Sequence, residues 1–476
     1  MWTVAAGVIF LTMVGQQAQQ PVSPGKLELT IEQAVKLALK QSPRTKGAQI
    51  DIEAADARRK QSRAQFGPKF QVNLSAMYFS EPPGFSGGAM DPALVGQLEQ
   101  VNDLAIAQGD VVDQALSGAL LGFGQGLSQL TDMFASERYD VTVTARVVQP
   151  LTPLWAIYQA YRLSELGVDA TRVAEQRTRI ELAFEVRRAC LLVLSIESAL
   201  GALDEAVETV QAHVRTAHHF LDVGLIGKND LLQAEVRLAD LRGKRLETEH
   251  GLRLAKAHLA VLLDIPTGTE LVIQPPQAAE KEPELPPLDM VLIEARERRP
   301  ELRELDLRIR QAEHGVKASY QGYIPNLSLM GQYQHNEGSV MIPPAWTVGV
   351  VLDFNFWEWG ATYYAVEEAR ARLQRARTAR AELERGIELD VRSAWLKITL
   401  TAKKIEIARS AERQAEEQLR LERQRYQAQQ STSTDVLDAQ SRMTQTKVEL
   451  QTAGFEHLIA LADLRRALGQ QYGPVK

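Results

Sequence analysis

The stretch PKFQVNLSAMY, residues 68–78, decides how the chain is read. In it Phe70, Val72, Leu74, Ala76 and Tyr78 alternate with Gln71, Asn73 and Ser75, the period of a strand with one apolar and one polar face. The stretch PNLSLMGQYQ, residues 325–334, repeats it: Leu327, Leu329, Gly331 and Tyr333 alternate with Ser328, Gln332 and Gln334. A second strand follows each: Val141, Val143, Ala145 and Val147 alternate with Thr142, Thr144 and Arg146, and Trp346 to Phe356 forms the later one.

The likeness spreads outward from these strands. Pro43 and Pro68 are spaced like Pro300 and Pro325, giving an offset of 257 between copies. Leu221 and Tyr426, Asp230 and Asp435, Ala234 and Ala439, and Leu263 and Leu468 share an offset of 205. The first copy thus carries 52 extra residues, between about Phe79 and Tyr139. A duplicated unit of this length points to a symmetric assembly rather than a single catalytic cleft.

Around the strands the chain is mostly α. Aromatics are 6% of residues, and long Ala/Leu/Arg/Glu/Gln stretches avoid glycine and proline. A helix is expected from the Thr30 cap to Ser42, and another from Pro43 to about Phe66. Helices from about Tyr158 to Val223 and Tyr363 to Ala428 would each run roughly 100 Å at 1.5 Å per residue. In the second, Val366, Ala369, Leu373, Ala376, Ala379, Leu383, Ile387, Val391, Ala394, Ile398, Ala402, Ile405, Ala408, Ala411, Ala415 and Leu419 form one stripe with a step of about 3.5, the coiled-coil period. Return helices start at Asp230 and Asp435 after short turns, so each copy is helix, strand, strand and a long antiparallel hairpin. The expected layout is an export signal at 1–20, a first repeat at 21–266 with an 80–139 insertion between its strands, a proline- and glutamate-rich linker at 267–287, and a second repeat at 288–476.

Composition excludes several classes. A net charge of −6 from 54 basic and 60 acidic residues, well mixed, does not support nucleic-acid binding. The single cysteine, Cys190, lies in an apolar helical run and reads as a small buried residue. No phosphate-binding loop, metal-binding pair or nucleotide fingerprint is present, so neither enzyme chemistry nor a cofactor is expected.

Strands of about ten residues suit an outer-membrane barrel, whose strands need roughly 9–11. Four strands cannot close, whereas three copies would supply twelve. Trp155, Tyr323, Trp357 and Trp359, with Phe66, Tyr158, Tyr161, Tyr320, Tyr363 and Tyr364, fall where strands meet helices, as an interfacial aromatic girdle requires. Aromatic packing at a helix–sheet junction would also account for them.

The motifs LTIEQAVKLALKQSP (29–43), GLIGKNDLLQA (224–234) and DVLDAQ (435–440), in this order and on a duplicated unit, resemble the outer-membrane efflux proteins typified by TolC. The resemblance covers nearly the whole chain after residue 20. It implies a homotrimer in which long α-helical hairpins form an α-barrel on a twelve-stranded outer-membrane β-barrel. It further implies a passive exit duct of a tripartite efflux or type I secretion system in a Gram-negative bacterium, extending into the periplasm. The implied partners are outer-membrane lipid, a periplasmic adaptor (membrane fusion) protein, and an inner-membrane transporter of the RND, ABC or MFS type.

The same resemblance assigns Asp435, Asp438 and Tyr426 to a periplasmic gate, and Gly224, Leu225 and Ile226 to the adaptor-binding tip. Six carboxylates around an axis would favour cations, and their crowding would raise some of their pKa values. Helix capping is the structural alternative for Asp435. A basic residue that the family carries five positions after the tyrosine is replaced here by Ser431, so the entrance is held by other contacts or rests more open. The rival reading of the whole chain is a soluble periplasmic coiled-coil scaffold with its short strands as a cap.

Overall fold

The computed structural model describes residues 26–80, 139–276, 285–338, 344–428 and 430–470, with isolated positions at 96–97, 99–100, 103–104, 118–119 and 121–122. The expected export signal, nearly all of the 80–139 insertion and the middle of the linker lie outside the described residues.

The elements are β1 (Leu27–Leu29), α1 (Ile31–Gln41), α2 (Pro43–Ala64), β2 (Lys69–Tyr78), β3 (Tyr139–Pro150), α3 (Leu154–Asp222), α4 (Lys228–Leu262), β4 (Leu271–Ile273), α5 (Leu288–Arg298), α6 (Pro300–Ser319), β5 (Asn326–Gly338), β6 (Ala345–Asp353), α7 (Ala361–Gln427) and α8 (Ser433–Ala467). The boundaries follow local chemistry. Thr30 accepts from the Gln33 backbone while the Gln33 side chain accepts from the Thr30 backbone, a complete capping box that starts α1. Pro43 opens α2, where a missing N–H costs nothing. The strand expected to run to Phe356 ends at Asp353.

The chain forms two compact units, and each draws segments from both sequence repeats. The first holds residues 1–52, 171–304 and 380–476; the second holds 53–170 and 305–379.

In the first unit the duplication is written into two twin cores. One gathers Ala34 and Ala38 of α1 with Leu182, Val186, Ala189 and Val193 of α3 and Leu259 and Leu263 at the end of α4. The other gathers Val291 and Ala295 of α5 with Ile387, Val391, Ala394 and Ile398 of α7 and Leu464 and Leu468 at the end of α8. The paired positions obey the offsets of 257 and 205 read from the sequence. All sixteen residues of the α7 stripe are at least partly buried, so the coiled-coil track is the helix's inward face.

Three features of this unit escape sequence reading. β4 lies in the stretch taken as linker and pairs in parallel with β1, Leu27 opposite Leu271. Asp264 and Gly469, twins at offset 205, end α4 and α8 with φ of 57° and 67°. In each case the following residue's N–H reaches back five positions (Ile265 to Ala260, Gln470 to Arg465), closing a Schellman motif. Finally, buried Arg299 donates to the Ala467 carbonyl at 2.6 Å, to Glu301 at 3.0 Å and to Asp390, which also accepts from Arg466 at 2.9 Å. Burial opposes the Asp390 charge, but the hydrogen bonds from Arg466 and Arg299 outweigh it and hold its pKa below the ordinary aspartate value.

The second unit is a four-stranded antiparallel sheet, order β2-β3-β5-β6, with the adjoining stretches of α2, α3, α6 and α7. Its helices are tied by polar contacts: Ser62 to Ser164 at 2.8 Å, His314 to Gln159 at 2.7 Å, and Gln311 to the Leu163 carbonyl at 3.0 Å.

Candidate functional site

The sheet of the second unit is the first functional feature. Its register sets Phe70 opposite Val147, Val72 opposite Ala145 and Leu74 opposite Val143. It also sets Ala145 opposite Tyr333, Tyr333 opposite Trp346, and Leu329 opposite Val350. Opposed residues share a face, so one face is apolar across all four strands. That face is uncovered: Phe70 is 75% exposed, Leu74 72%, Trp346 77% and Val350 62%. The other face is polar, with Gln71, Asn73, Thr144, Arg146, Gln332 and Thr347, and is knit by Thr142 to Asn336 at 2.8 Å and Arg146 to Gln332.

Such a sheet is inside out for water. Phe70, Val72, Leu74, Tyr78, Leu329, Tyr333, Trp346, Val348, Val350 and Leu352 are all exposed. Covering large apolar side chains is worth roughly 1.5–3 kcal/mol each, on the order of 15–30 kcal/mol for the set, against a typical whole-domain stability of about 5–15 kcal/mol. The backbone is open as well, since among the described strands β2 pairs with β3 alone and β6 with β5 alone.

The register also gathers the aromatics. Lys69 faces Val148, Pro150 faces Ser328 and Asn326 faces Asp353, so the strand ends next to Phe66, Trp155, Tyr323 and Trp357 lie at one edge. There Trp155 and Tyr158 stack at 6.5 Å, Tyr320 and Tyr323 at 6.3 Å, and Trp357 and Trp359 meet edge to face at 5.6 Å. All four of the girdle residues expected from sequence are exposed, Trp359 at 85%. Sequence reading missed a second level. Tyr78 faces Tyr139 at the opposite end of the sheet, a pairing that appears only once the register is known.

The second feature is the pair of hairpin tips in the first unit. Gly224, at φ 75°, ends α3: its N–H bonds Leu221 O at 2.9 Å, and the Leu225 N–H bonds Phe220 O at 2.8 Å. Leu225 is then 53% exposed, whereas Ile226 turns back onto the tip core of Val210, Val214, Leu231 and Leu238. Asp230 accepts from the Gly227 backbone at 3.2 Å, as its twin Asp435 accepts from the Thr432 backbone at 2.9 Å. Asp435 therefore caps α8. Hydrogen bonds from the Thr432 side chain and backbone, then from Ser431, hold its pKa below the ordinary aspartate value, so the rise expected from crowding requires other copies of the chain. Asp438 lies one turn further on, also exposed, and leaves two carboxylates on one face of α8.

Tyr426 does not project from the tip. It is buried between His213 and Phe220 of α3, at ring distances of 5.1 and 5.8 Å. Its hydroxyl makes no hydrogen bond of good geometry; Ser433, near enough to ease its pKa down, is engaged with His213 Nε2 at 2.8 Å. Burial, then the Asp230 charge, push the Tyr426 pKa up, while burial and then Arg423 push that of His213 down. A cleft of about 470 Å³ opens beside them, lined by His213, Phe220, Arg423, Tyr426, Val436 and Gln440. Thr434 to Gln233 at 2.5 Å, together with the Arg237–Ser441 contact, adds polar links between the two hairpins. His213 was not legible as a site residue, because its partner Ser433 is 220 positions away.

Residues 291–470 match the sequence model of the outer membrane efflux protein family. The matching family is that of the outer membrane efflux proteins. The matched segment covers most of the second repeat. Its fold resembles the CmeC outer membrane channel of Campylobacter jejuni, with 17% identity, a TM-score of 0.73, and coverage of 92% of this chain and 85% of that one. It resembles VceC of Vibrio cholerae likewise, at 15% identity and a TM-score of 0.71 over 93% and 97% of the two chains. A third similar structure is the open state of the MtrE outer membrane channel of Neisseria gonorrhoeae, at 16% identity and a TM-score of 0.68 over 93% and 89%. No curated protein matches the chain in sequence. The family model and the similar structures are those of outer-membrane proteins and channels rather than enzymes, and the fold of this chain, mostly helical with a small sheet, is similar to that of the TolC-like channels.

Proposed function

We propose that three copies of this chain close a twelve-stranded barrel in the outer membrane and form the passive exit duct of a tripartite efflux or type I secretion system. The observation that carries this reading is the uncovered apolar face of an edge-open sheet. In lipid the apolar face is at home, and backbone groups at β2 and β6 must find partners, because no water is present to satisfy them. A second copy supplies those partners edge to edge. The helices favour the same assembly: Leu389, Leu396, Leu400 and Ile407 form an exposed stripe along α7, at helical spacing, opposite the buried one. No described helix is long and apolar enough to cross a membrane, so the strands carry the membrane contact.

In this reading Asp435 and Asp438 ring the periplasmic entrance, and Tyr426, locked against His213 and Phe220, keeps α7 on α3 in place of a latch through residue 431. Gly224, Leu225 and Ile226 meet a periplasmic adaptor, with Leu225 as the outward contact, and an inner-membrane transporter supplies the energy. Trp155, Tyr323, Trp357 and Trp359 sit at the periplasmic membrane interface. A soluble scaffold would leave the sheet's apolar face in water.

The test is to express the full-length chain, fractionate the envelope and measure the particle's mass and heat sensitivity in mild detergent. A heat-dissociable species of about 160 kDa in the outer-membrane fraction, three times the 52.9 kDa chain, is expected. A monomer in the soluble fraction would sink the barrel.

A further inference from the structure

The polar face of the sheet is not neutral. It carries Lys69 on β2 and Arg146 on β3, and the register makes them diagonal neighbours, since Gln71 rather than Lys69 stands opposite Arg146. Diagonal partners on one face are about 7–8 Å apart, and like charges so placed repel, so sheet stability alone would not favour the pair. Around Arg146 the neighbours are amides and hydroxyls: Gln71 and Gln332 stand opposite on either side, with Thr347 beyond.

On this face of the described strands the carboxylates are Asp140, six residues along β3, and Asp353, six residues along β6 from Thr347. At about 3.3 Å per residue, each is on the order of 20 Å from the level of Arg146. Arg146 donates from Nε and Nη2 to Gln332 Oε1 at 3.3 and 3.2 Å, and Gln332 donates onward to Gln334 at 3.4 Å. A neutral amide aims the guanidinium without cancelling its charge, and leaves Nη1 without a partner among the described residues. Arginine keeps that charge at any working pH and presents a fork suited to carboxylate and phosphate groups.

Resting on the duct reading, we propose that Arg146, with Lys69 beside it, is a selectivity residue: in the trimer it sets a basic ring inside the barrel that favours cargo and ions bearing anionic groups. Twelve strands about 4.8 Å apart and tilted by about 40° enclose a radius of about 12 Å, comparable with the roughly 8 Å screening length at physiological salt. Side chains reaching inward from the wall bring the whole cross-section within the ring's field. The two sets of charges are opposed, acidic at Asp435 and Asp438 and basic at Arg146.

The experiment is the reversal potential of the purified full-length protein in planar bilayers under a potassium chloride gradient. It is made in the background Asp435→Asn with Asp438→Asn, where an amide oxygen at 435 still accepts from the Thr432 backbone and the entrance acids no longer mask the barrel. In that background Arg146→Gln is expected to lower the ratio of chloride to potassium permeability by about threefold or more, given that charged clefts hold potentials of several kT, while Arg146→Lys retains the ratio. Channels that conduct with the same ratio in all three proteins would overturn the selectivity role and leave the duct standing. Absence of conductance from the native protein as well would overturn the duct, and this role with it.

Discussion

Apolar side chains point in opposite directions in the two units. In the helical unit Leu182, Leu259, Val391 and Leu464 are sealed inside twin cores, and the helices turn charge outward. In the sheet unit Val72, Leu74, Val348 and Val350 are turned outward, and the amides and hydroxyls share the other face. One chain thus carries two opposite patterns of burial. The period of the pattern says which residues share a face, but only the covering of that face says whether the surrounding medium is water or lipid.

The contrast can be broken most strongly at its buried end. Leu259→Ala empties a fully buried site and should cost about 2–5 kcal/mol, measured as a drop in the denaturation midpoint. Leu74→Ala, at an exposed site, should cost far less. Reversing the polarity tests the sheet itself. Leu74 lies midway between Phe70 and Tyr78, so Leu74→Arg should cost about 2–4 kcal/mol and abolish the heat-dissociable trimer on a gel, whereas Asn73→Arg next door should leave it. Equal effects at 73 and 74 would refute the assignment of faces.

Smaller effects sharpen the likeness between the twin cores. Asp264 and Gly469 hold the same left-handed conformation, which costs a residue with a side chain about 1–2 kcal/mol. Gly469→Asp should therefore destabilise by at least that much, because a Cβ there would stand 3.0 Å from the Arg298 carbonyl, while Asp264→Gly should stabilise by up to about 1 kcal/mol. Thr432→Ala removes the α8 cap and should cost about 1 kcal/mol. The Asp435 half of that cap has a depressed pKa, so its contribution is present above the ordinary aspartate range and is lost only as pH falls through the lower folded value. An NMR titration of Asp435 with a midpoint at or above the ordinary value would contradict this capping geometry.

Much of the fold was legible because it is local and duplicated. The Thr30 capping box, the prolines at 43 and 300, and the two-residue period at 70–78 and 327–333 each declare an element within a few residues, and the repeat declares each twice. What stayed hidden depends on distance. β4 is three residues in a proline-rich stretch and is a strand only because β1 lies beside it. Tyr426 was legible by its position in a motif, but its burial between His213 and Phe220 rests on partners more than two hundred positions away. Asp435 was legible both as a cap and as a gate, and the hydrogen bonds to Thr432 establish the cap. Arg146 was visible on the polar face, but the lack of a nearby carboxylate needed the register.

The central claim is that the sheet is a wall between lipid and water, and single cysteines along β2 test it most directly. Cys190 will not interfere: it is buried, and burial pushes its thiol pKa up to about 12, so it offers almost no thiolate to a reagent. With a membrane-impermeant, water-soluble maleimide on outer-membrane vesicles, cysteines at Gln71, Asn73 and Ser75 should label, while those at Phe70, Val72 and Leu74 stay protected. Uniform labelling at all six positions would contradict the account.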